Sequence, residues 1–230
     1  MKQICVLGLG YIGLPTSSIL AAKGYHVLGV DVSRKVVDTI NSGKIHITEP
    51  DLDLFVKAAV QSGKLRASLT PEPSEAFIIA VPTPFKDGKK PDLSYVEAAT
   101  AAIIPHLQPG NLVILESTSP PQTCSHVILP LLKKAGFTPG RDIYLAHCPE
   151  RVLPGQIMRE VVENERVIGG YTPECAEKAK ELYASFVKGA IHLTDSTTAE
   201  MVKLVENSFR DVNIAFANEL SLICDELKLN

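Results

Sequence analysis

The chain has 230 residues, of which 45% are apolar and 21% charged, with a formal net charge of −3. That is the balance of an ordinary α/β or similar globular protein with a large core, and the small charge gives no electrostatic footprint for nucleic acid or an anionic membrane surface. The five cysteines (Cys5, Cys124, Cys148, Cys175, Cys224) are odd in number and widely spread, without a disulfide or zinc-ligand spacing, so a reducing cytoplasm is expected.

The N-terminal apolar stretch superficially resembles a secretory leader, but Gly8, Gly10, Gly13 and Pro15 interrupt it and the following residues complete a βαβ unit. Ile4-Cys5-Val6-Leu7 reads as a buried parallel strand. In the run Gly8-Leu9-Gly10-Tyr11-Ile12-Gly13 each glycine has a distinct task. Gly8 allows the tight turn, Gly10 lets a pyrophosphate approach the backbone, and Gly13 lets the next helix pack close to the sheet. That helix, starting near Tyr11, aims its N-terminal amides at the phosphates. The next strand, His26-Val27-Leu28-Gly29-Val30, ends at Asp31, whose carboxylate suits the adenosine ribose hydroxyls. The same charge repels the 2′-phosphate of NADP, so NAD is the expected cofactor.

Ser33 is a good N-cap for a helix over residues 34–41. Residues 45–50 form a loop, and Asp51 opens an amphipathic helix to about residue 62. A short strand at 65–67 precedes a clear one at 77–81, which Pro82 and Pro84 end. Residues 86–91 read as a polar turn and 94–104 as a helix. A strand at 112–115 runs into Glu116-Ser117-Thr118. Further strands are expected at 143–146, 167–168 and 191–193, with a helix over 173–186. Parallel strands joined by helices make a Rossmann-like, doubly wound, mostly parallel sheet that binds ligands at the carboxyl ends of its strands. Gly8, Asp31, Thr83, Thr118 and Glu150 all follow strand ends and should line one edge.

Residues 197–229 contain neither proline nor glycine, which predicts the start of a long central helix of about nine turns. The expected division is a cofactor domain over 1–195 and the first part of a helical domain over 196–230. Met201, Leu204, Val205, Val212, Ala215, Phe216, Leu220 and Ile223 cover more than half the circumference, which predicts burial on several sides. Glu200, Lys203, Asn207, Asp211 and Asn218 form one narrow polar stripe. The stripe is either a solvated face or, at Lys203 and Asn207, a pair aimed beside the nicotinamide. A lysine there can take an alcohol proton or hold a developing alkoxide, and an amide can orient the same oxygen.

Longer strings carry more. They include Gly8-Leu9-Gly10-Tyr11-Ile12-Gly13-Leu14-Pro15, Ile45-His46-Ile47-Thr48-Glu49-Pro50-Asp51-Leu52, Val81-Pro82-Thr83-Pro84-Phe85, Glu116-Ser117-Thr118-Ser119-Pro120 and Cys148-Pro149-Glu150-Arg151-Val152-Leu153-Pro154-Gly155, together with residues 199–213. Across essentially the whole chain these resemble the nucleotide-sugar 6-dehydrogenases. The run after Pro149 is closer to the branch oxidising UDP-N-acetylmannosamine than to the UDP-glucose branch, with UDP-N-acetylglucosamine a further alternative. The resemblance implies an N-terminal NAD-binding Rossmann domain, and a central helix that joins it to a UDP-binding domain and forms a homodimer. It implies oxidation of the sugar's C6 alcohol to a carboxylate in two hydride transfers, with two NAD per sugar, for surface polysaccharide.

By position, Tyr11, Ile12, Asp31, Thr83 and Thr118 match NAD contacts. Lys203 matches the catalytic lysine and Asn207 the asparagine beside it. Arg151, Val152 and Arg210 match substrate contacts, and Glu150 the carboxylate associated with thioester hydrolysis. The family's nucleophilic cysteine lies in a Gly-rich segment beyond the central helix, and none of the five cysteines here has that context. The expectation is therefore an N-terminal portion that binds NAD without turning over UDP-sugar. Two other readings stay open: a short non-catalytic NAD-binding module, and a two-electron dehydrogenase using the lysine and asparagine alone.

Overall fold

A computed structural model describes residues 2–229. The strands are β1 (Gln3–Leu7), β2 (His26–Val30), β3 (Leu65–Ser68), β4 (Ala76–Ile79), the short hairpin β5 (Phe85–Lys86) and β6 (Lys90–Pro91), β7 (Leu112–Leu115), β8 (Tyr144–His147), β9 (Arg166–Gly170) and β10 (Ile191–Asp195). All but the hairpin join one sheet in the order β10-β9-β8-β7-β4-β1-β2-β3. From β3 to β8 every pairing is parallel, which makes this the expected α/β Rossmann-like arrangement. The far edge of the sheet is reversed: β9 runs antiparallel to β8, and β10 runs with β9.

Because side chains alternate across a strand, the central strands feed two cores. Ile4, Val6, Ile78 and Ile114 face one side, where α1 (Gly13–Ala22), α2 (Arg34–Asn41), α3 (Leu52–Gln61), α6 (Ile157–Glu163) and α7 (Pro173–Tyr183) supply the apolar cover. Cys5, Leu7, Phe77, Ile79, Val113 and Leu115 face the other, under α4 (Ser94–Ile103), a π-helical turn (Cys124–Ile128) and α5 (Leu129–Lys134). Helix α1 is buried along nearly its whole length, hydroxyls included. Ser17 and Ser18 satisfy theirs by donating to the Gly13 and Leu14 carbonyls at 2.6 and 2.9 Å.

Local signals hold with small displacements. Ser33 caps α2, its hydroxyl accepting from the Val36 amide. Helix α1 begins at Gly13 instead of near Tyr11. Asp51 precedes α3 in a left-handed conformation (φ 65°) without a side-chain cap. The expected polar turn over 86–91 contains the β5–β6 hairpin.

The final helix, α8 (Ser196–Leu227), is continuous as expected and is capped by Asp195, which accepts from the Thr198 amide at 2.9 Å. The expected burial on several sides is not found within the chain. Only its first turns pack on the sheet, and Phe209, Val212, Phe216 and Leu220 are exposed by 71%, 66%, 63% and 44%. Among the described residues none packs over them. Among the described residues no helix is long and apolar enough to cross a membrane.

Candidate active site

The β1–α1 turn can be built only with glycine. Gly8 adopts φ +90°, and a Cβ there would lie 2.5 Å from the Ala80 carbonyl oxygen. A Cβ on Gly13 would lie 1.9 Å from the Gly8 oxygen, so α1 could not start where it does. Gly10 differs: a Cβ would meet nothing within 4 Å, so the space before its backbone is open to a ligand. Beside it, Asp31 accepts from the Leu9 amide at 3.1 Å and the Ser33 amide at 2.9 Å, which fixes its carboxylate at the end of β2. An open glycine backbone and a held carboxylate at the neighbouring strand end fit the pyrophosphate and adenosine ribose of a dinucleotide.

These groups line a cleft of about 480 Å³. On one side stand Gly8, Gly10, Tyr11, Ile12 and Asp31, and across from them Thr83, Thr118, Glu150, Val152 and Lys203. Gly13 sits behind the turn. The loops after β4 and β7 are tied together, as Thr83 Oγ1 donates to the Thr118 carbonyl at 2.6 Å and Ser117 Oγ to that of Val81 at 2.8 Å. His46, from the loop before α3, also lines the cleft. Arg151 and Arg210 lie instead in an adjoining depression along α8. Arg151 is held there by Glu206 through a 2.8 Å Nε–Oε2 bond and a second contact from Nη2. Asn207, one turn beyond Lys203, is exposed and borders neither space.

The strand reversal gives this edge its charges. Because β9 runs against β8, its first residue, Arg166, meets the loop that leaves β8. Arg166 Nη1 donates to Glu150 Oε2 at 2.5 Å, with both side chains 3% exposed or less. Glu150 also accepts from the Arg151 amide at 2.8 Å. A buried ion pair adds little net stability, but removing one partner typically costs about 3–5 kcal/mol, because the other charge is left buried alone. Cys148 is fully buried, and that burial pushes its thiol up to about 12, which disfavours the thiolate a nucleophile needs. Lys203 is half-buried, and desolvation lowers its pKa against the opposing pull of Glu206 and Glu150. It therefore gives up a proton more readily than a surface lysine.

Glu200, in the same stripe as Lys203, is fully buried, so the stripe is not a solvated face at this end. Its carboxylate accepts from the amides of Gln122 and Cys124 at 2.5 and 2.8 Å, which pins the root of α8 to the turn before α5. Cys124, His147 and Glu200 are close together there. With both Glu200 oxygens taken by amides at a helix start, where a cation is disfavoured, we read the cluster as an anchor.

The loop after β8 has a second anchor that sequence reasoning did not single out. Glu49, 4% exposed, accepts from the Gly155 amide at 2.9 Å and the Ile157 amide at 2.7 Å. It thereby joins the His46 loop to the Val152 loop, both of which border the cleft. Glu116, Tyr183 and Arg166 were likewise missed, although Glu116 follows a strand end just as Thr83 does.

The profile described as "UDP-glucose/GDP-mannose dehydrogenase family, NAD binding domain" matches residues 2–187, and that of the family's central domain matches 197–230. This chain belongs to the UDP-glucose/GDP-mannose dehydrogenase family. It is 57% identical to an NDP-N-acetyl-D-galactosaminuronic acid dehydrogenase of Ralstonia nicotianae, covering 100% of this chain and 56% of that protein. It is 55% identical to a UDP-N-acetyl-D-mannosamine dehydrogenase of Campylobacter jejuni, covering 100% and 58%. Its fold superposes on the UDP-N-acetyl-D-mannosamine dehydrogenase of Pyrococcus horikoshii with a TM-score of 0.96 at 48% identity, covering 100% and 55%. The chain thus spans little more than half the length of these relatives. The cofactor of a dehydrogenase domain of this family is NAD, in agreement with the open turn and with Asp31.

Glu49→Ala strips the amides of Gly155 and of buried Ile157 of their acceptor, a loss of about 1–3 kcal/mol at that point. Hydrogen exchange at Gly155 and Ile157 should then accelerate about fivefold to a hundredfold while exchange in β1 and β4 stays unchanged.

Proposed function

We propose that this chain forms the NAD-binding and proton-handling half of a UDP-N-acetyl-D-mannosamine 6-dehydrogenase. On this reading residues 1–195 are the cofactor domain and 196–230 open the central helical domain. The observation that carries it is Lys203 of α8 bordering the same cleft as Gly10, Asp31 and Thr118. When bound, NAD accepts hydride from the sugar's C6. The chain's own groups do the rest. Lys203, its charge weakened by desolvation, receives or shares the alcohol proton and steadies the oxygen as negative charge develops. Asn207, four residues on along α8 and so a neighbour of Lys203 on one face, is assigned the orienting of that oxygen, a role that needs substrate to reach past the cleft wall to it. Thr118 positions the ring end of the cofactor. Glu150, kept in place by Arg166, is assigned the activation of water in the hydrolytic half of the reaction. Val152, Arg151 and Arg210 border the sugar nucleotide. The five free thiols suit a reducing, cytoplasmic setting.

A second reading comes from the Ralstonia nicotianae relative, whose name carries the galacto sugar. It keeps the same residues and changes the hexose to N-acetylgalactosamine.

The exposed apolar residues of α8 form a long continuous row, and we assign it to a second copy of the chain, as a homodimer interface. Light scattering should then give twice 24.9 kDa, and Phe216→Glu should return the monomer; a monomeric parent protein would remove the assignment.

Calorimetry of the 230-residue chain should give one NAD+ site, with NADP bound at least tenfold more weakly because of Asp31. In that mixture UDP-N-acetylmannosamine should not yield two NADH per sugar, since the second oxidation needs a thiol nucleophile and none of the five cysteines has its context. The native polypeptide that carries these residues should release two NADH per sugar. One NADH per sugar would mean a two-electron enzyme, and faster turnover of UDP-N-acetylgalactosamine would select the second reading. Lys203→Met should lower its kcat by about 10²–10⁴.

A further inference from the structure

Glu116 is the first residue after β7, in the wall of the cleft and on the half away from Asp31. With the adenosine end held over β2, the crossing of a dinucleotide at the β1–β4 boundary lays the nicotinamide end over β4, β7 and β8. The Glu116 side chain is 2% exposed. Tyr183 Oη on α7 donates to its Oε1 at 2.6 Å, while Oε2 is buried without a partner among the described residues. Its other neighbours are the Thr16 hydroxyl on α1, Arg166 at the start of β9, and Glu150 and Cys148 beyond β8. His46 and Lys203 line the same cleft from their own elements. Arg166 is the one cation of this buried group, and its Nη1 is bound to Glu150. Two buried carboxylates therefore share one guanidinium, and Glu116 has no counter-charge of its own. Burial first, and the charge of Glu150 second, push it up to about 7.

We propose that Glu116 is a charge-matching residue for the cofactor, releasing its proton to solvent when the cationic ring of NAD+ enters and keeping it beside the neutral ring of NADH. A ligand cation near a carboxylate that is otherwise uncompensated favours the ionised form, and by linkage the ionised form favours the cation. One such pair about 10 Å apart, at an effective dielectric constant of about 20, corresponds to roughly tenfold in affinity. Below pH 7 Glu116 is protonated and NAD+ gains nothing from it; as pH rises through 7 NAD+ binding strengthens, while NADH binding does not. This rests on the reading that the cleft holds NAD with its nicotinamide over β7.

The test is titration calorimetry of the chain with NAD+ and with NADH, at pH 7 in two buffers of different ionisation heat, and then from pH 6 to 8.5. The expected result is proton release with NAD+ alone, and NAD+ affinity rising roughly tenfold over the range while NADH affinity stays level. Glu116→Gln keeps an acceptor for Tyr183 and should abolish both the proton release and the slope. If that variant does not fold, Tyr183→Phe, which removes the bond that lowers Glu116, should move the NAD+ transition to higher pH. Equal proton release with NADH, or an unchanged slope in Glu116→Gln (which would point to His46 or Lys203), would overturn the proposal. Failure to bind either dinucleotide would overturn the reading beneath it, and the proposal with it.

Discussion

Gly13 stands against the Gly8 carbonyl at a spacing that leaves no room for a Cβ, and much of the molecule depends on that contact. It sets how closely α1 approaches β1, and therefore how far the turn between them stands back from the space before Gly10. Gly8 reaches the same turn from its other side, against the Ala80 carbonyl, so the spacing of β1 and β4 is tied to it as well. The held carboxylate of Asp31 completes the arrangement, since its partner is the amide of Leu9 within the turn itself. Backbone geometry, strand spacing and the cofactor-facing acid are thus one unit.

The opposite half of the cleft is built on a different principle. There the reversed strand β9 delivers a guanidinium to the ends of strands running the other way, and the buried polar residues gather around it. Glu150, Arg166, Tyr183 and Glu116 are joined through one ion pair, one hydroxyl–carboxylate bond and a cation–ring contact of 5.6 Å. In such surroundings each group's charge state depends on its neighbours. Helix α8 approaches the same edge. Glu200 fixes its root to backbone amides, and one turn later Lys203 enters the cleft. A long helix is a stiff arm, so anchoring its first turns places everything beyond, Arg210 included.

Much of this was legible in the chain. The glycine spacing, the acid at the end of β2 and the polar residues after successive strands each carry a local signal, because strand ends and turns are encoded by neighbouring residues. The stripe on α8 gave Glu200 and Lys203 a common face, though helical spacing could not say whether that face met water or protein. Asn207 shows the converse, being on the stripe yet exposed and bordering neither the cleft nor the depression beside it. The apolar wrap of α8 was visible too, but the surface that covers it was not, since periodicity reports the need for cover and not its source.

The sequence by itself determined the βαβ turn, the preference for NAD and the order of strands and helices, all of which are signalled by short runs of neighbouring residues. Only the tertiary structure decided that the last two strands run backwards, that Glu150 has Arg166 as its partner, and that Glu49, Glu116 and Glu200 are buried. The physical reason is the same in each case. A carboxylate in a polar stretch looks solvated until a partner from 16, 67 or more than 70 residues away is brought against it, and no local pattern records that meeting.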